Sequence, residues 1–137
     1  MTTVIRAKLS EKNKYYVDKH RYYELKHFCL QYPVWKRKYM DLDGYSSIFN
    51  DGMPRSNDVS DPTSRFTEDR LLYFDKMKIV EQAAIDADPD LASYILKGVT
   101  DDLSYNLLHT KYNIPCGRNT YYDRYRKFFW LLDKVKY

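Results

Sequence analysis

Apolar and aromatic side chains recur at helical intervals along most of the chain. Tyr22, Leu25, Cys29 and Tyr32 fall at i, i+3, i+7 and i+10 with Phe28 beside them, which predicts an amphipathic helix over about 14–30. Pro33 lacks the helical donor and disfavours the α region at Tyr32, so a break is expected there. Trp35, Tyr39 and Leu42 then predict a shorter helix over 34–42, with Lys36, Arg37 and Lys38 pointing elsewhere. Residues 43–62 gather Gly44, Ser46, Ser47, Gly52, Pro54, Ser56, Asn57, Ser60 and Pro62, a turn-forming composition that predicts one long loop or linker.

Thr63 or Ser64 can cap a third helix, in which Tyr73, Met77, Val80, Ala84 and Ala87 form a continuous stripe of coiled-coil type. Such a stripe wants a partner helix, in the same chain or in a second copy. Asp88-Pro89 reads as the start of a fourth helix, with Leu91, Ile95 and Leu96 facing inward and Gly98 near its end. Ser104 can cap a fifth helix reaching about Tyr112, with Leu107, Leu108 and Tyr112 as its apolar residues. After a turn over 113–117, Tyr121, Tyr125, Phe128 and Leu132, widened by Phe129, mark a sixth helix. Residues 1–13 have no sustained apolar period and read as an arm. The pattern predicts an all-α helical bundle. An N-terminal arm and helix pair (1–42) would be joined by the linker (43–62) to a long central helix and C-terminal helix-turn-helix unit (63–137).

Composition narrows the class. A chain of 137 residues, 44% hydrophobic, holds one compact domain or a small domain plus an appendage. The low counts of Gly (4) and Pro (5) disfavour a turn-rich all-β design. No run approaches the roughly 18 apolar residues of a membrane span, and the mean hydropathy of -0.71 agrees. The N-terminus lacks the apolar core of a secretory signal, so no membrane association and a cytoplasmic location are expected. Cys29 and Cys116 have no CxxC spacing, so neither a disulfide framework nor a zinc site is indicated.

Charge adds a functional hint. Residues 1–40 hold ten Lys/Arg against three Asp/Glu, residues 41–100 six against twelve, and residues 101–137 seven against four. Basic ends flanking an acidic middle are an electrostatic footprint suited to a partner that carries phosphate. The C-terminal pair of helices joined by a glycine-containing turn has the form of a helix-turn-helix. With Tyr121, Tyr125 and Phe128 turned to the core, Asn119, Asp123 and Arg126 fall on the opposite face, with Tyr122 at its edge. Arg pairs with guanine O6 and N7, Asn with adenine N6 and N7, and Asp accepts from cytosine N4, so these are base-reading side chains. Arg118, Arg124 and Lys127 flank the strip and suit phosphates. The same hairpin also closes ordinary bundles, and Trp130, opposite the apolar stripe, is expected to pack on the N-terminal helices or on a partner.

The run Leu103-Ser104-Tyr105, Leu108 and Ile114-Pro115-Cys116-Gly117-Arg118-Asn119-Thr120-Tyr121-Tyr122-Asp123-Arg124-Tyr125-Arg126-Lys127-Phe128-Phe129 resembles the C-terminal segment of the RinA/ArpU-like late-gene transcriptional regulators of phages and prophages. Tyr23-Glu24-Leu25, Tyr32-Pro33, Met53-Pro54-Arg55 and Asp61-Pro62-Thr63 are similar to upstream pieces of that group. The resemblance covers about residues 15–132. It implies a helix-turn-helix similar to sigma factor region four, binding to double-stranded DNA, and activation of late or packaging genes. The turn at 114–117 is longer than is usual there, which bears on the register of Arg118 and Asn119.

Two other classes compete. An enzyme would need a constellation, but His20, His27 and His109 are scattered, with no HxxxH pair, GxSxG turn or phosphate-binding glycine loop. No catalytic residue, metal site or cofactor is expected. Paired acids such as Asp101-Asp102 read as helix caps before metal ligands. A non-enzymatic protein-binding module, such as a phage-encoded inhibitor or an adaptor on host RNA polymerase, draws support from the fifteen tyrosines, a residue type favoured at interfaces. Salt dependence separates it from a DNA binder, and the unpartnered apolar stripe raises a homo-oligomer as an expectation.

Overall fold

A computed structural model describes residues 13–50 and 60–136, with side chains described outside 43–50 and 60–67. The chain is all-α, and no strand occurs among the described residues. The helices are α1 (Lys19–Leu30), α2 (Tyr32–Asn50), α3 (Ser60–Ala87), α4 (Ala92–Thr100), α5 (Tyr105–Tyr112) and α6 (Arg118–Lys136). By contact they divide into one unit of residues 32–78 and another of residues 13–31 with 79–136.

Local chemistry explains the helix ends. Asp18, not Lys14, starts α1, its carboxylate accepting the His20 N–H at 3.2 Å. The break expected at Pro33 falls at Gln31 (φ -82°, ψ -10°), and Pro33 lies in the first turn of α2, where a missing N–H costs nothing. The helical backbone runs on to Asn50 and resumes at Ser60, so both ends of the predicted 43–62 loop are helical. A single interior glycine such as Gly44 costs a helix only about 1 kcal/mol, too little to stop it. Residues 51–59, and the arm over 1–12, lie outside the described residues. Asp88 shapes the α3–α4 turn by accepting from the Asp90 and Leu91 N–H groups at 2.9 and 3.2 Å. That turn delays α4 to Ala92.

In the 32–78 unit, α2 lies beside the first part of α3. Trp35 is buried, Tyr39 meets Phe74 with ring centroids 6.0 Å apart, and the Arg70 guanidinium stands 4.3 Å over the Tyr39 ring. Lys36, Arg37 and Lys38 are exposed. Further along α3, Met77 is buried within this unit, and Val80, Ala84 and Ala87, which belong to the other unit, are buried as well.

In the other unit, α6 packs against α1 and α4, and α5 against α4. Its core is aromatic: Tyr22, Tyr121, Phe128 and Phe129 are among its largest fully buried side chains, with Leu25, Ile95, Leu108 and Leu132 between them. The Tyr22 and Tyr125 hydroxyls share a buried hydrogen bond of 2.7 Å, and Phe129 meets both rings edge-on at 5.1 and 5.0 Å. Burial pushes the Tyr22 hydroxyl up to about 12, and raises Tyr121 and Tyr125 as well. A phenol whose folded value lies above its unfolded value of about 10 contributes stability that is complete below pH 10 and lost as pH rises toward 12 and beyond. Alkaline unfolding is therefore expected to coincide with a cooperative rise in tyrosinate absorbance. Titration of all tyrosines near 10 without loss of helical circular dichroism would contradict this core.

Candidate nucleic-acid interface

The α5–α6 element is built by three local devices. Ser104 caps the eight-residue α5 by accepting the Leu107 N–H at 3.3 Å. Asn113 ends it in the left-handed conformation (φ 55°, ψ 46°), a geometry asparagine tolerates, and the buried Ile114 returns its N–H to the Leu108 carbonyl at 3.2 Å. The Tyr105 hydroxyl donates to the Cys116 carbonyl at 2.6 Å, which pins the connection just before α6. Inside α5, Leu108 faces the core as expected, whereas Leu107 and Tyr112 are exposed. Burial, with Asp88 as a second cause, raises the Cys116 thiol above its ordinary value, against the activated cysteine that a helix N-terminus would favour.

The side chains singled out on α6 have different fates. Asn119 is exposed, and so is Thr120. Asp123, Arg126 and Lys127 are half-buried. Tyr122 is not at the edge of a reading face. It is 3% exposed, and its hydroxyl accepts the Tyr105 N–H at 3.3 Å. The reason is that α6 has a helix on each side, so its buried arc spans Tyr121, Tyr122, Tyr125, Phe128, Phe129 and Leu132 rather than a narrow stripe. Arg124 is committed within the chain: its Nε donates to Asp88 at 3.0 Å and its Nη1 to Asp123. The hydrogen bond to Asp88 holds its guanidinium above the ordinary arginine value, and the pair ties the α3–α4 turn to α6. Arg124, expected at the flank as a phosphate contact, thus holds two carboxylates of its own chain.

Farther along, Trp130 meets Tyr15 with centroids 5.4 Å apart and carries Lys134 3.9 Å over its ring. The N-terminal segment before α1 thus provides packing for this tryptophan. Arg21 of α1 pairs with Asp133 at 2.5 Å. The outer face of α6 is therefore open near its first turns and covered near Trp130.

Arg118 leans back across the connection. Its Nη2 donates to the Asn106 Oδ1 at 2.5 Å and its guanidinium lies 5.3 Å from the Tyr105 ring centroid. Asn106, exposed on α5, belongs to the same surface. The sequence signal for it is weak: a polar residue two places after a serine cap.

His20 and His27 line an open cleft between α1 and the end of α6, together with Glu24, Phe28 and Lys136. His109 is exposed on α5 beside the Tyr105 ring. Among the described residues, no three His, Cys, Asp or Glu side chains gather as a metal site, and no helix is long and apolar enough to cross a membrane. Comparison with known protein families, with curated proteins and with solved structures finds no match to this chain.

Proposed function

We propose that the protein is a transcriptional regulator that binds double-stranded DNA through α5 and α6, with α6 as the reading helix. The observation that carries this reading is the α5–α6 geometry. A short capped helix and a left-handed asparagine lead into a helix that is firmly buried on one side and presents Asn119 and Thr120 at its start. Asn119 suits adenine, and Arg126 lies farther along as a further base contact, with Lys127 for phosphate. The excess of Lys/Arg over Asp/Glu in residues 101–137 favours the approach of a polyanion. A role in phage or prophage late-gene control is supported by the sequence resemblance of residues 103–129.

The test is a titration of duplex from the region upstream of the neighbouring genes against random-sequence duplex, at two salt concentrations. Asn119→Ala and Arg126→Ala are expected to weaken the specific duplex roughly tenfold each and the random one much less. Lys127→Ala should weaken both alike and lower the salt slope by roughly one. If all three folded variants bind every duplex as the parent does, α6 is not the reader. A protein partner such as host RNA polymerase then becomes the better account.

A further inference from the structure

Arg118 and Arg124 stand six residues apart on α6 but in opposite chemical situations. Arg124 is neutralised by Asp88 and Asp123, whereas Arg118 makes no ion pair among the described residues. What holds Arg118 is a neutral amide and a ring. Asn106 accepts one of its N–H groups through Oδ1, and Tyr105 lies under the guanidinium. Tyr105 is itself 9% exposed and fixed at two points, its hydroxyl on the Cys116 carbonyl and its N–H on the Tyr122 hydroxyl. The guanidinium is thereby positioned by groups that carry no opposite charge.

The hydrogen bond also orients the amide. An asparagine that accepts from a cation through Oδ1 turns its Nδ2, with two N–H donors, away from that cation. Because Asn106 is exposed, those donors reach solvent beside the remaining N–H groups of Arg118. Two helices thus present adjacent donors and one uncompensated positive charge across a fixed connection. The complementary ligand is an anion with at least two acceptor oxygens close together.

We propose that Arg118 and Asn106 form a clamp on a single backbone phosphate of duplex DNA. The clamp rests on the DNA-binding reading and deepens it. By holding one phosphate at the α5–α6 connection, it sets the register in which Asn119, the next residue along, meets the base edges. Asn106 acts here as a ligand in its own right and as the group that aims Arg118.

The experiment uses the full chain and a fluorescently labelled random-sequence duplex, titrated over a series of salt concentrations, with thermal melts to confirm that each variant folds. Arg118→Gln is expected to lower the magnitude of the salt slope by about 0.9, the value for one released counterion. Asn106→Ala, which removes no charge, should weaken binding several-fold with little change of slope. Asn106→Asp should weaken it further, because a carboxylate captures the guanidinium and repels phosphate. Arg118→Lys should keep the slope but not the affinity, since an ammonium lacks the planar fork.

A parent that binds duplex while Arg118→Gln and Asn106→Asp bind equally well overturns the clamp and leaves the DNA-binding reading standing. A parent that binds no duplex removes both. Displacement of the duplex by millimolar inorganic phosphate at constant ionic strength would assign the site to a free anion and overturn the proposal.

Discussion

Tyr125→Ala is expected to unfold the unit formed by residues 13–31 and 79–136. The side chain is 4% exposed and lies among Tyr22, Tyr121, Tyr122 and Phe129, with ring centroids 5.0–5.9 Å away for the last three. Truncating a buried aromatic of this kind costs about 3–5 kcal/mol through lost transfer energy and the cavity left behind. The Tyr22 hydroxyl, 2.7 Å from that of Tyr125, also loses its partner in a dry interior. Together these approach the whole stability of a small domain. Urea denaturation followed by circular dichroism measures the loss. Tyr125→Phe serves as the milder comparison, since it keeps the ring and removes only the hydrogen bond, for about 1–2 kcal/mol. A Tyr125→Ala protein with the midpoint of the parent would show that this core does not hold the unit together.

Gly98→Ala is expected to cost about 3 kcal/mol, the upper end of the usual range for overpacking, although alanine is the better helix former. A Cβ at this buried position would fall well inside contact distance of the Tyr121 hydroxyl oxygen and 3.4 Å from a Leu108 methyl. The Tyr121 ring, 0% exposed, has no room to swing away. Its hydroxyl oxygen is buried and has no hydrogen-bond partner among the described residues. Tyr121→Phe alone should therefore be neutral or stabilising by about 1 kcal/mol, and in combination it should recover most of the Gly98→Ala loss. A double-mutant cycle with strict additivity would mean that the two side chains do not meet.

Gly98 shows how far local rules reach. A glycine near the end of a predicted helix reads as a terminator, yet α4 continues to Thr100. Its stop is supplied by Asp102 in the left-handed region (φ 56°), with the Leu103 N–H bonded to the Gly98 carbonyl at 3.0 Å. Nothing near Gly98 in sequence announces Tyr121, whose approach is what requires the missing Cβ. Arg124 and Tyr122 follow the same logic. A basic residue on a candidate reading helix suggests phosphate until a carboxylate from another turn captures it. A tyrosine next to an apolar stripe looks peripheral until a second helix covers it.

What the sequence by itself determined is the helical class, the apolar faces and several of the caps. Periods of three and four residues bury Leu25, Cys29, Val80, Ala84, Ile95, Tyr125 and Leu132, and the Ser104 cap acts within a few residues of itself. These are short-range effects, and the chain carries them wherever it goes. Only the tertiary structure decided which polar side chains remain available to a ligand. Arg118 was left on the neutral amide of Asn106 while Arg124 was paired with the carboxylate of Asp88, 36 residues away. The physical reason is that a helical period specifies a direction around one axis. Whether solvent, a ring or an opposite charge stands in that direction depends on elements distant along the chain.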